Sequence, residues 1–264
     1  GLFEARQDAF GRIVIGFNPS ALRTVVYERI PRSTRQQIHL SVIEFLEQAS
    51  EVAAVDAIDV PLMLAFHYRS VDGFEGAAHY LVRVGEILLD LYDYEGAVDQ
   101  LREALDLLHD NDFAPTHPIA LLARTRILTA LREAGRLEEA QREVEKLPDL
   151  EEIPEESRTE ILLEIGSLGI ESGTLGKATE TLFSAIELAR AQQHIKLEVK
   201  ALLALSQLFD KENQLQRSIN LLVEVSQKVE LIGDLDMNDP DDRRLFWTAY
   251  NQLGTLFLRQ KQIQ

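Results

Sequence analysis

A chain of 264 residues, 45% hydrophobic and 27% charged, has the make-up of an ordinary folded domain and is long enough to bury a substantial core. Its 44 acidic side chains against 27 basic ones leave a net charge of −17, which repels phosphate backbones and argues against nucleic-acid binding. Cysteine is absent, which excludes disulfides and thiolate metal sites. No apolar run reaches the ~18 residues of a membrane span, and no signal peptide is visible at the start.

In chain order, Arg12 to Phe17 is rich in β-branched residues and reads as a strand. Leu2 to Arg6 is its hairpin partner across Asp8–Gly11. Asn18-Pro19 has the form of an N-cap followed by proline in the first helical position. It predicts a helix from Pro19 to Ile30 that ends before Pro31. Ser33 or Thr34 then caps a helix running to Ser50, with Ile38, Val42, Ile43, Phe45 and Leu46 as its apolar face. A short helix is expected over Pro61–Arg69, followed by Phe74–Leu91 and Tyr94–His109 joined by tight turns. Pro115 and Pro118, then Pro148 and Pro154, separate later helix pairs. A final helix runs from Asp241 to Lys261, with Asp239 as its cap and Pro240 in first position.

A repeat runs through the helical part. Leu81, Val84, Gly85, Leu88, Tyr94, Ala97, Leu101 and Ala104 match, in spacing and type, Leu162, Ile165, Gly166, Gly169, Leu175, Ala178, Leu182 and Ala185. Small residues twelve apart let two antiparallel helices approach closely, and the large residues fill the gaps between neighbouring pairs. Repeats begin near Ala78, Leu121, Thr159, Val199 and Trp247, at spacings of 43, 38, 40 and 48 residues. In the second, Leu128 and Arg124 replace the usual small and apolar residues; in the fourth, Ser206 and Ser218 take the two small positions. In the last, Tyr250, Leu253, Gly254 and Phe257 supply a first helix with no second, which predicts that the natural protein continues.

The 78–111 and 159–192 segments resemble tetratricopeptide repeats, whose 34-residue period is shorter than the spacings here. Residues 17–110 also resemble the segment after the ATPase core of bacterial signal-transduction ATPases, maltose-regulator-like or fused to kinases. The residues that carry this likeness are Val26-Tyr27, Arg35, Ile38-His39, His67-Tyr68 and the Gly73/Ala77 turn; Asn18 stands where a histidine often follows the phenylalanine. This second resemblance implies that the N-terminal hairpin is the wing of a truncated winged-helix module and that the nucleotide-binding residues lie upstream.

Chemistry is sparse. There is neither a GxxxxGK[ST] loop nor a GxGxxG turn, so no cofactor is expected. Among His39, His67, His79, His109, His117 and His194 no pair has HxxxH spacing, so no metal site is expected; His39 and His67 read as hydrogen-bonded packing residues. The Asp234–Asp242 loop begins like a calcium loop, but Asp239 replaces the turn glycine and Leu245 the closing glutamate. Glu138, Glu139 and Glu143 read as a solvated face, and nothing resembles a nucleophile with a base.

The expected fold is all-α: a right-handed solenoid of tetratricopeptide-like helix hairpins over 57–264 with its last repeat truncated, preceded over 1–56 by a β-hairpin and helices as a winged-helix remnant. The expected function is non-catalytic: a regulatory or scaffolding segment of a larger cytoplasmic bacterial signalling protein. Its partner is a protein or peptide, not nucleic acid or membrane, and self-association through the C-terminal helix is expected. By resemblance to tetratricopeptide grooves, the partner-facing residues are Thr125, Thr129, Arg132, Glu133, Leu163, Ser167, Ile170, Glu171, Lys200, Leu203, Gln207, Lys211, Asn251, Thr255 and Arg259. The alternative is a small-molecule sensor arm, which would need aromatic and polar groups converging on a pocket.

Overall fold

The computed structural model describes the backbone of residues 3–7, 13–17, 21–52, 58–231 and 240–263, and the side chains of 24–48, 58–230, 242–255 and 258. The chain divides into two compact units, Gly1–Arg83 and Val84–Gln264. The expected boundary at 56/57 falls at the edge of residues outside this description.

The first unit opens with strands β1 (Phe3–Gln7) and β2 (Ile13–Phe17), paired antiparallel from Phe3↔Phe17 to Gln7↔Ile13. Helices α1 (Ala21–Arg29), α2 (Arg32–Val52) and α3 (Asp59–Ser70) follow, with the start of α4 (Phe74–Asp90). The Asn18-Pro19 cap lies outside the described residues. Helix α2 begins earlier than its expected cap: the Pro31 carbonyl accepts the first helical bond from Arg35 at 3.0 Å, so Ser33 and Thr34 are already inside the helix. Proline's preset φ suits this start better than a hydroxyl cap one turn later.

The apolar face of α2 needs a further correction. Its buried stripe is His39, Ile43 and Leu46, at i, i+4 and i+7, while Ile38 (49% exposed) and Phe45 (68%) face outward. Each sits one residue back from that stripe, about 100° round the helix. Ile43 and Leu46 close on Leu64 of α3, with Val42, Val60, Tyr68, Val71 and Tyr80 around them.

The second unit is built from helix pairs. Its helices are the remainder of α4, then α5 (Tyr94–Asp110), α6 (Pro118–Glu133), α7 (Leu137–Val144), α8 (Glu155–Glu171), α9 (Leu175–Ala191), α10 (Ile195–Lys211), α11 (Leu215–Leu231) and α12 (Pro240–Ile263). Each first helix packs on its own second helix and on the neighbouring first helix, as α8 does on α9, α6 and α10. Small residues make the close approach possible. A Cβ on Gly85 would lie 2.6 Å from Leu101, and one on Gly166 would lie 2.6 Å from Leu182. In the fourth pair Ser218 Oγ donates to the Ser206 carbonyl at 2.8 Å. In the second pair Leu128 is itself buried, and the helix opposite is short. The loop after α7 compensates by seating Ile153 between Leu121 and Ile161.

The tight turns share one device. The residue after the helix takes a left-handed φ, and the next amide bonds back to a carbonyl one turn inside. Glycine does this at Gly135 and Gly173, but Asp72, Tyr92, Asp112, Gln193 and Asn213 adopt the same φ of 56–61°. The Asp93 amide, for example, reaches the Leu88 carbonyl at 2.9 Å. Two histidines take part in the next step: His117 Nδ1 accepts from the Ile119 amide, and His194 Nδ1 from the Leu197 amide, each at 3.3 Å, capping α6 and α10.

Candidate protein-docking face

The first helices of the second unit carry side chains that bridge from pair to pair. Arg126 on α6 donates to Glu86 on α4 at 3.0 Å and to Glu160 on α8 at 2.8 Å. One turn and a half further on, Arg132 donates to Glu164 at 3.3 Å and Glu171 at 2.9 Å, and pairs with Glu133. Burial opposes the charge on both guanidiniums, but the carboxylates more than offset it and hold their pKa values above the ordinary arginine range. Burial pushes the Glu164 carboxyl up, against the pull of Arg132. The sequence reading missed Arg126, Glu86, Glu160 and Glu164. Their separations of 32–40 residues, close to the repeat spacing, were the signal that could have found them.

The residues expected to face a partner divide into two sets. Thr125, Leu163, Ile170 and Leu203 are buried, the last three in the main core cluster, so the expected apolar patches do not exist as open surface. The physical reason is that neighbouring first helices pack on one another and close over these positions. The Thr125 hydroxyl donates to the Leu121 carbonyl at 2.8 Å, and that of half-buried Thr129 to the Thr125 carbonyl. Ser167 and Lys200 are half-buried. Glu171, Gln207, Lys211, Asn251 and Thr255 are exposed, with Lys211 Nζ donating to the Ile170 carbonyl at 3.2 Å. Arg259 lies on α12, its side chain outside the described residues. What remains open is therefore a polar edge along α8, α10 and α12.

Other candidate sites resolve into structure. His39 and His67 are hydrogen-bonded packing residues: their Nδ1 atoms lie 2.6 Å apart, and His39 Nε2 meets the Tyr27 hydroxyl at 2.8 Å. Burial lowers both imidazole pKa values; the Arg35 charge lowers that of His39 further, and His39 that of His67. Nearby, Tyr68 and Tyr80 stack and both donate to Glu47 Oε1, at 2.7 and 2.9 Å. Burial and the Glu47 carboxylate push the Tyr68 phenol up to about 12.

Glu143 departs from the solvated face expected of it. It is buried and receives Arg102 and Lys146, at 3.3 and 2.8 Å. Among the described residues no group of three or more histidine, aspartate or glutamate side chains could hold a metal ion, and no helix is long and apolar enough to cross a membrane. The calcium-like loop lies mostly outside them.

No protein-family model matches the chain, and no curated protein sequence does. Solved structures do. The apo form of RapI superposes with a TM-score of 0.59 at 13% identity, over 90% of this chain and 69% of that one. A Rap protein complexed with competence and sporulation factor gives 0.52 at 14% identity, over 92% and 74%. Tetratricopeptide-like repeats of a putative kinesin light chain from Podosopora anserina give 0.53 at 14%, over 76% and 97%. The fold is that of a tetratricopeptide-like helical repeat protein.

Proposed function

We propose that this chain is a non-catalytic docking domain that takes a protein or peptide along the polar edge of α8, α10 and α12. The observation that carries the reading is the construction of that edge. Ser167, Glu171, Gln207, Lys211, Asn251 and Thr255 stand on helices whose apolar neighbours are buried, so the surface is preformed and keeps its shape without a ligand. The peptide factor bound by one Rap protein of similar fold supports a peptide as occupant. The proposal extends to a regulatory segment of a cytoplasmic bacterial signalling protein of the ATPase-associated kind, with β1 and β2 as the remnant of a winged helix. The residues of 17–110 quoted above support that part.

The test starts with peptides selected from a displayed random library against the whole chain. Their affinity is then measured for variants Glu171→Ala, Gln207→Ala, Lys211→Ala and Asn251→Ala, with Glu138→Ala on α7 as control. Loss of a central contact weakens binding about tenfold, equivalent to roughly 1.4 kcal/mol. Selected peptides that bind all four edge variants as tightly as the control overturn the reading.

A further inference from the structure

Helix α12 is a first helix that lacks what the other first helices of the second unit have. Its inner side is settled: Leu245 and Ala249 are buried in the main core cluster, with Phe246, Tyr250 and Leu253 packed against it. Gln252 Oε1 accepts from Ser206 at 3.1 Å. Its outer side carries Trp247, Asn251, Gly254 and Leu258, at i, i+4, i+7 and i+11.

The internal repeat says what belongs there. Trp247 occupies the position of Leu121, Thr159 and Val199, each fully buried at 0%, yet Trp247 is 55% exposed. In the third pair that position meets its own second helix, Thr159 donating to Gln192 at the end of α9. Gly254 occupies the position of Gly85 and Gly166, which receive Leu101 and Leu182 of their second helices; around Gly254 nothing lies within 4 Å. Leu258 is 67% exposed. The same pairs define the missing element. Leu101, Leu182 and Leu222 each follow a small residue four places earlier, Ala97, Ala178 and Ser218, all of them buried.

We propose that the outer face of α12 is a docking site for an amphipathic helix from another polypeptide. That helix carries a small residue and, four places later, a leucine that settles over Gly254 and covers Trp247. This site is separate from the polar edge discussed above. A leucine-bearing helix fits because the glycine removes the one side chain that would hold it off, and because a large exposed indole gains the most from being covered.

Trp247 is the only tryptophan in the chain, so the face reports on its own occupancy. The probe is a synthetic helix-stapled peptide with the sequence of α9, Leu175–Ala191, titrated into the whole chain. The expected result is a saturable blue shift of the Trp247 emission. It disappears when the peptide carries Leu182→Asp, and its midpoint rises at least tenfold when the chain carries Gly254→Leu. That substitution adds a good helix former to an open helical position, and circular dichroism verifies that the helices persist. The proposal is overturned by no shift, by an equal shift with the Leu182→Asp peptide, or by an unchanged midpoint with Gly254→Leu. It is also overturned if the emission shifts with chain concentration alone while light scattering shows the mass doubling, because the occupant is then a second copy.

Discussion

The two units of this chain hold themselves together by different means. In the first, the buried contacts between helices are largely polar: Tyr27, His39 and His67 form a hydrogen-bonded row across α1, α2 and α3, and two tyrosines share Glu47, while Ile38 and Phe45 stay outside. In the second, glycine or serine on one helix admits leucine from the next, and arginines tie neighbouring pairs together. A repeated fit of small against large can be extended pair by pair. A hydrogen-bonded row depends on each proton being in place, and so depends on pH. The contrast predicts that volume changes break the second unit and that acid breaks the first.

The largest effect should come from Leu182→Ala. Leu182 is fully buried against Gly166, which has no side chain to move into the space, so the loss is about 2–5 kcal/mol in denaturant melts. A loss under 1 kcal/mol would mean that the pair collapses around the hole and that the glycine fit is not what holds it. Next comes Arg132→Ala, which leaves Glu164 among carboxylates without its guanidinium. The cost is roughly 3 kcal/mol, and Arg132→Met should recover part of it only if packing rather than charge is at stake.

Glycine substitutions sharpen the comparison inside the second unit. Gly166→Ala places a methyl against Leu182 and costs about 1–3 kcal/mol. The equivalent Gly254→Ala meets nothing and gains up to about 1 kcal/mol in helix propensity. Equal effects of the two would show that the second-helix position over Gly254 is already filled.

The smallest effect belongs to acid. His39 and His67 have folded pKa values below the ordinary 6.5, so as pH falls through that value the unfolded chain takes up protons that the folded one refuses. Stability from this pair is full above that pH and declines below it, towards the lowered folded pKa values. Amide exchange across α2 and α3 should therefore quicken below about pH 6.5 while α8 and α9 hold. The pH dependence of α2 and α3 should flatten with His39→Phe. An unchanged profile in that variant would remove the histidine pair as its cause.

The sequence by itself determined the helices, the pairing and the repeat. Helical apolar periodicity and small residues twelve apart are local properties, and Gly85 with Leu101 or Gly166 with Leu182 could be matched because both partners fall within one repeat. It also marked His39 and His67 as packing residues, since each sits beside an apolar helical stripe. Only the tertiary structure decided which side of each helix stayed open. Leu163, Ile170 and Leu203 have the spacing of a groove wall, yet they are buried because adjacent first helices close over them. Glu143 looks like surface, yet it is enclosed and paired. Burial is a property of neighbours a whole repeat away, and the period of a single helix carries no record of how tightly the next pair will stack.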